Sequence, residues 1–91
     1  MSIKLHLHWD TWQRLTNGQA TVEVNGNTTG ECLKDLVRQF PAIEKELFDK
    51  DGKLLEYLSV FVNREIVFPD EMAVPVKDRD ELHLIPLIGG G

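Results

Sequence analysis

Residues 3–8 read Ile-Lys-Leu-His-Leu-His, with Ile3, Leu5 and Leu7 strictly alternating with Lys4, His6 and His8. A repeat of two puts all three apolar side chains on one face of an extended strand and the three cations or imidazoles on the other. Such a strand is stable only in a sheet with one face covered and the other wet. The far end of the chain repeats the pattern, since in Glu81–Leu87 the residues Leu82 and Leu84 point one way and His83 and Ile85 the other. The chain therefore begins and ends in half-buried strands, and what lies between must supply the cover.

That cover is a helix. Thr28 stands three residues before Glu31, the spacing of a capping box that satisfies free N–H groups of a first helical turn. Cys32, Leu33, Leu36, Val37 and Phe40 then recur at helical spacing, and Pro41 stops the run, so a helix is predicted over about 29–39. Thr16-Asn17-Gly18 is a turn signal, Ala20, Val22 and Val24 alternate, and Asn25-Gly26 closes that segment, so the first two strands read as a hairpin. Ile43–Phe48 suggests one or two helical turns, and Asp51-Gly52 another turn. Strands are expected at 58–63 and around Ile66–Phe68, followed by a stretch in which Pro69 and Pro75 forbid a long central strand. Residues 77–80, Lys-Asp-Arg-Asp, form a charged turn before the last strand. The order is β-β-α-β-β-β, and one helix among so many strands must pack on one sheet face. Pairing the two most apolar strands, the first and last, gives a β-grasp: an α+β fold with a mixed sheet and one main helix on one face.

Composition narrows the function classes. Ninety-one residues make one small domain, and no apolar run approaches the ~20 residues of a membrane span. The N-terminus lacks the basic-then-apolar build of a signal peptide, and a cytoplasmic protein is expected. Ten cationic residues scattered among fifteen acidic ones, net −5, speak against nucleic-acid binding. The single cysteine, Cys32, excludes an internal disulfide and sits on the apolar side of the helix, where a buried thiol is expected. No Ser-His-Asp arrangement, phosphate loop or carboxylate pair stands out, so no enzyme active site is expected.

The chain ends in Gly89-Gly90-Gly91, residues that lose much freedom on ordering and contribute little to a fold. Three stretches, VEVNGNTTGECLKDLVRQFP (22–41, with its turn and helix), LLEYLSVFVNREIV (54–67) and DRDELHLIPLIGGG (78–91), together resemble the ubiquitin-like sulfur carriers of the MoaD/ThiS family. The last stretch is the most specific. Members commonly end the final strand with proline, three further residues and Gly-Gly, and here Pro86 is followed by Leu87, Ile88, Gly89 and then Gly90-Gly91. The longer start, with RLTNGQ at 14–19, is more similar to carriers of cysteine or homocysteine synthesis and to molybdopterin synthase small subunits than to the smallest thiamine-type carriers. Arg79 departs from the family, which often has glycine there between two aspartates.

The resemblance implies a protein cosubstrate rather than an enzyme. Gly91 would be adenylated by an ATP-dependent, ubiquitin-activating-type enzyme, then converted to a thiocarboxylate that passes sulfur to a biosynthetic enzyme of a cysteine/homocysteine, molybdopterin or thiamine pathway. The carrier itself would bind no cofactor. Gly89 and Gly90, without Cβ atoms, would let the tail thread a narrow channel. The expected organisation is a β-grasp domain over 1–87 and a flexible tail over 88–91. A partner-binding surface is expected at His83, Ile85, Leu87, Ile88 and Phe61. A ubiquitin-like modifier, joined through Gly91 to lysines, is the alternative that uses the same tail.

Two clusters stay outside this reading. His6 and His8 share a strand face, with His83 beside them if the first and last strands pair; zinc takes three or four such donors, but no carboxylate or cysteine motif accompanies them and no functional metal is expected. Trp9 and Trp12 could cover the core edge or face a partner.

Overall fold

The alternation at the N-terminus becomes strand β1 (Ser2–Leu7), whose Ile3, Leu5 and Leu7 are fully buried. The computed structural model describes residues 2–67 and 72–86. After β1 come α1 (Asp10–Leu15), β2 (Thr21–Asn25), α2 (Thr29–Gln39), a short 3-10 turn (Pro41–Ile43), α3 (Glu44–Leu47), β3 (Leu58–Val62), β4 (Glu65–Ile66) and β5 (Glu81–Pro86). The five strands form one sheet in the order β2-β1-β5-β3-β4, with β1 and β5 parallel and the other pairs antiparallel. The first and last strands are thus neighbours at the sheet centre, as the β-grasp reading requires.

One face of the sheet is the core. Ile3, Leu5, Leu7, Val22, Val24, Leu58, Val60, Leu82 and Leu84 join Cys32, Leu33 and Leu36 of α2, with Ile43, Leu47 and Trp12 closing the ends. Helix α2 spans the residues expected of it. Thr28 Oγ1 accepts from the Glu31 N–H at 3.1 Å, while the Glu31 carboxylate accepts from the Asn27 N–H at 2.8 Å. The return bond therefore lands one residue before the cap, so the box is displaced from its usual form. Two further N–H groups at this helix start are taken by the loop that leads to β5, with Thr29 N–H donating to Val74 O and Gly30 N–H to Met72 O. A Cβ on Gly30 would stand 2.6 Å from that Met72 oxygen, so the close approach requires glycine.

The hairpin expected from the first two strands is corrected. β1 and β2 are antiparallel neighbours, but α1 is interposed between them. Trp9, Trp12 and Thr16 follow a helical rather than a turn spacing, and Trp12 is fully buried with the Trp9 ring edge-on at 5.3 Å. The turn at Asn17-Gly18 then holds both residues at positive φ before β2. β4 is also shorter than expected, at Glu65–Ile66, and Phe68 lies outside the described residues. No helix of the described residues is long and apolar enough to cross a membrane.

Candidate functional site

The face of the sheet opposite α2 is where the strands' outward residues meet. The register aligns one row across all five strands: Thr21 beside His6, His6 beside His83, His83 beside Phe61, and Phe61 beside Ile66. Ile85 lies one step along β5, opposite Ser59. Phe61 and Ile85 are half-buried and Ile66 is 47% exposed, so the β3–β4 side of the row is apolar and the β1 side is imidazole. Among the expected partner-binding residues, the structure brings His83, Ile85 and Phe61 onto this one face. Ile66 joins them. Sequence reasoning missed it because only the register of the two-residue strand β4 reveals its place opposite Phe61.

The imidazole end is closely organised. His6 and His83 stack with ring centroids 4.6 Å apart, and His8 stacks on His83 at 5.1 Å. His8 Nε2 is 2.9 Å from His83 Nδ1, and His6 Nδ1 is 3.1 Å from Thr21 Oγ1. The carboxylate missing from the sequence motif is present in space, since Glu81 Oε1 lies 2.6 Å from His6 Nε2. The signal for it was the shared parity of residues 81, 83 and 85 on β5, which becomes informative once β5 is known to pair with β1. The hydrogen bond from His6 is the main reason the Glu81 carboxyl is held below its usual pKa. Burial, followed by the nearby charges of His6 and His8, lowers the pKa of His83.

Cys32 is buried, and its thiol is pushed up to about 11 by burial and then by Asp35 and Glu31. A thiol in that state is a poor nucleophile. At the other end of β5 the strand runs out at Pro86. Leu87, Ile88, Gly89, Gly90 and Gly91 lie outside the described residues. The charged turn before β5 is formed as expected, but with Arg79 at φ +77°, the left-handed region that glycine would occupy without strain. Reciprocal bonds hold it: Asp80 N–H donates to Lys77 O, and Lys77 N–H to the Asp80 carboxylate, both at 3.0 Å.

Residues 11–91 match the ThiS family. The chain belongs to the ThiS family. Among curated relatives of this ThiS-family chain, the sulfur carrier protein CysO of Mycobacterium tuberculosis is 33% identical over 79 residues, covering 84% of this chain and 85% of that protein. Small archaeal modifier protein 1 of Haloferax volcanii is 37% identical over 71 residues, covering 77% and 78%. Among solved structures, SAMP1 from Haloferax volcanii superposes with a TM-score of 0.86 at 31% identity over the full length of both chains. A chain from the BexX/CysO complex of Amycolatopsis orientalis gives 0.85 at 29% identity, covering 98% and 99%. The ubiquitin-like β-grasp fold is shared throughout.

Proposed function

We propose that this ThiS-family chain is a sulfur carrier, a protein cosubstrate whose reacting atom is the carbonyl carbon of Gly91. A terminal carboxylate, with a reference pKa near ~3.5, is ionised at neutral pH and resists nucleophiles. Attack of a carboxylate oxygen on the α-phosphorus of ATP, with pyrophosphate leaving, makes an acyl adenylate. Hydrosulfide then adds to the carbonyl, the carbon–oxygen bond to AMP breaks, the S–H proton is lost to solvent, and a thiocarboxylate remains. The observation that carries this reading is the family match, which runs through Gly91, together with 33% identity to a sulfur carrier over 84% of the chain.

The chain's own part is delivery and docking. Residues 1–87 form the body and 88–91 the tail that enters the partner's site, where Gly89 and Gly90 leave room for close approach. The face carrying His83, Phe61, Ile85 and Ile66 is the docking surface, while Leu87 and Ile88, expected in it from the sequence, lie outside the described residues. An apolar patch rimmed by polar groups suits such use. Two partners are implied: an ATP-using adenylating enzyme of the ubiquitin-activating type, and a biosynthetic enzyme that accepts the sulfur. The CysO of Amycolatopsis orientalis, solved in complex with BexX, supports the second.

An isopeptide to a lysine would be the product of a modifier. The chain is about as similar to the modifier protein as to CysO, so the two readings part on the fate of Gly91, a thiocarboxylate in one and an amide in the other. Deleting Gly91 tests the reading. The shortened chain is expected to unfold at the same temperature as the full chain and to stimulate no ATP-dependent pyrophosphate release by the cognate activating enzyme. Undiminished pyrophosphate release would remove Gly91 from the chemistry.

A further inference from the structure

We propose that His6, Glu81 and His83 form a surface site for a divalent transition-metal ion, with Thr21 and His8 orienting the two imidazoles. This inference rests on the open sheet face and not on the carrier reading. One donor atom from each of the three residues lies within 4.8 Å of the other two. Ligands at about 2.0–2.2 Å from a tetrahedral zinc ion sit about 3.3 Å from each other. The donors are therefore near coordinating separation: the 2.6 Å contact between His6 Nε2 and Glu81 Oε1 has to open by a fraction of an ångström, and because the His6 and His83 rings are stacked nearly parallel, one ring has to turn to aim its in-plane lone pair at the ion.

The second line of support is the way the rings are held. In metal sites a ligating histidine has its other ring nitrogen fixed by a hydrogen-bonding neighbour, which sets ring orientation and tautomer. His6 shows this arrangement, with Nδ1 on Thr21 Oγ1 and Nε2 facing Glu81. His83 shows it too, with Nδ1 on His8 Nε2, which leaves its Nε2 as the remaining donor. These contacts come from three strands: β2 supplies Thr21, β1 supplies His6 with His8 just beyond its end, and β5 supplies Glu81 and His83. The sheet register, rather than flexible loop contacts, positions the group.

The donor set selects the class of ion. Two imidazoles and one carboxylate suit zinc, cobalt, nickel or copper, whereas magnesium and calcium prefer all-oxygen shells. The side chains of His6 and Glu81 are 24% and 50% exposed, so an ion can enter from solvent and retain a coordination position for water or a partner's donor. Lys4 opposes Glu81 in the register and is exposed.

The test is calorimetric titration of the tag-free, chelator-treated full chain with zinc chloride, with cobalt absorbance as a second reading of geometry. One zinc ion per chain is expected, with no saturable uptake of magnesium. His83→Gln and Glu81→Gln are each expected to weaken zinc binding by ~10-fold or more. Ring-nitrogen chemical shifts of His6 and His83 in the unsubstituted chain, followed as zinc is added, give a readout that needs no variant to fold. Absence of saturable zinc binding would overturn the site. So would binding that survives both substitutions, or zinc that leaves the His6 and His83 rings unshifted.

Discussion

At Arg79 the backbone adopts φ +77°, and at Asp35 a carboxylate is buried on the helix that covers the sheet. The first is a local misfit between residue and turn. A non-glycine residue in the left-handed region is disfavoured by about 1–2 kcal/mol, partly offset when glycine loosens the unfolded chain. Arg79→Gly is therefore expected to stabilise the protein by about 0.5–1 kcal/mol, as measured by urea denaturation. The second is fully partnered. Asp35 accepts from the Asn25 N–H at 2.9 Å, from Gln39 Nε2 at 3.0 Å and from Arg38 through Nε and Nη2, tying the end of β2 to α2. Burial alone would raise its pKa, but these donors outweigh burial and hold it below the usual value. A carboxyl depressed in the folded state stabilises the fold above its unfolded pKa of ~3.9, and loses that contribution as pH falls through the lower folded value. Asp35→Ala is expected to cost about 1–3 kcal/mol at neutral pH, by leaving the Asn25 N–H without its acceptor. The difference from the parent should shrink in acid. A pH-independent difference in chemical denaturation would contradict the charge-based account.

At the scale of elements, α1 is the piece that periodicity did not reveal. It has six residues, its N-cap Trp9 makes no side-chain capping bond, and it lies between a strand and a turn that together resemble a hairpin. Helices this short leave few repeats for a pattern to register, and packing of Trp12 holds the segment helical. Trp12 Nε1 is buried without a hydrogen-bond partner among the described residues, so the ring contributes through its area and shape. Trp12→Ala is expected to cost about 3–5 kcal/mol, and Trp12→Phe distinctly less, because no hydrogen bond is lost; equal losses in urea denaturation would show that the indole N–H has a partner after all. The longer elements were legible. Alternation marked β1, β2 and β5, and cap, spacing and proline together bounded α2. What a single sequence does not encode locally is register between strands distant along the chain. Glu81 therefore became a neighbour of His6, and Ile66 of Phe61, only in the fold.

For the whole molecule, the sheet separates two tasks. Its covered face carries the core that makes a 91-residue chain stable, and its open face gathers imidazoles, a carboxylate and an apolar patch beside the strand that leads to the tail. The central strands β1 and β5 serve both, because alternate residues face opposite ways. The tail pattern was legible as a resemblance and the ThiS-family match agrees with it, but its glycines lie outside the described residues and their chemistry must be read from the reaction itself. The most direct measurement is an intact mass of the chain after incubation with its activating enzyme, ATP and a sulfur donor. A gain equal to one oxygen exchanged for one sulfur, located at Gly91 and absent when Gly91 is deleted, is the expected result. An unchanged mass with an active cognate enzyme, or a mass showing Gly91 joined by an amide to another chain, would contradict the carrier.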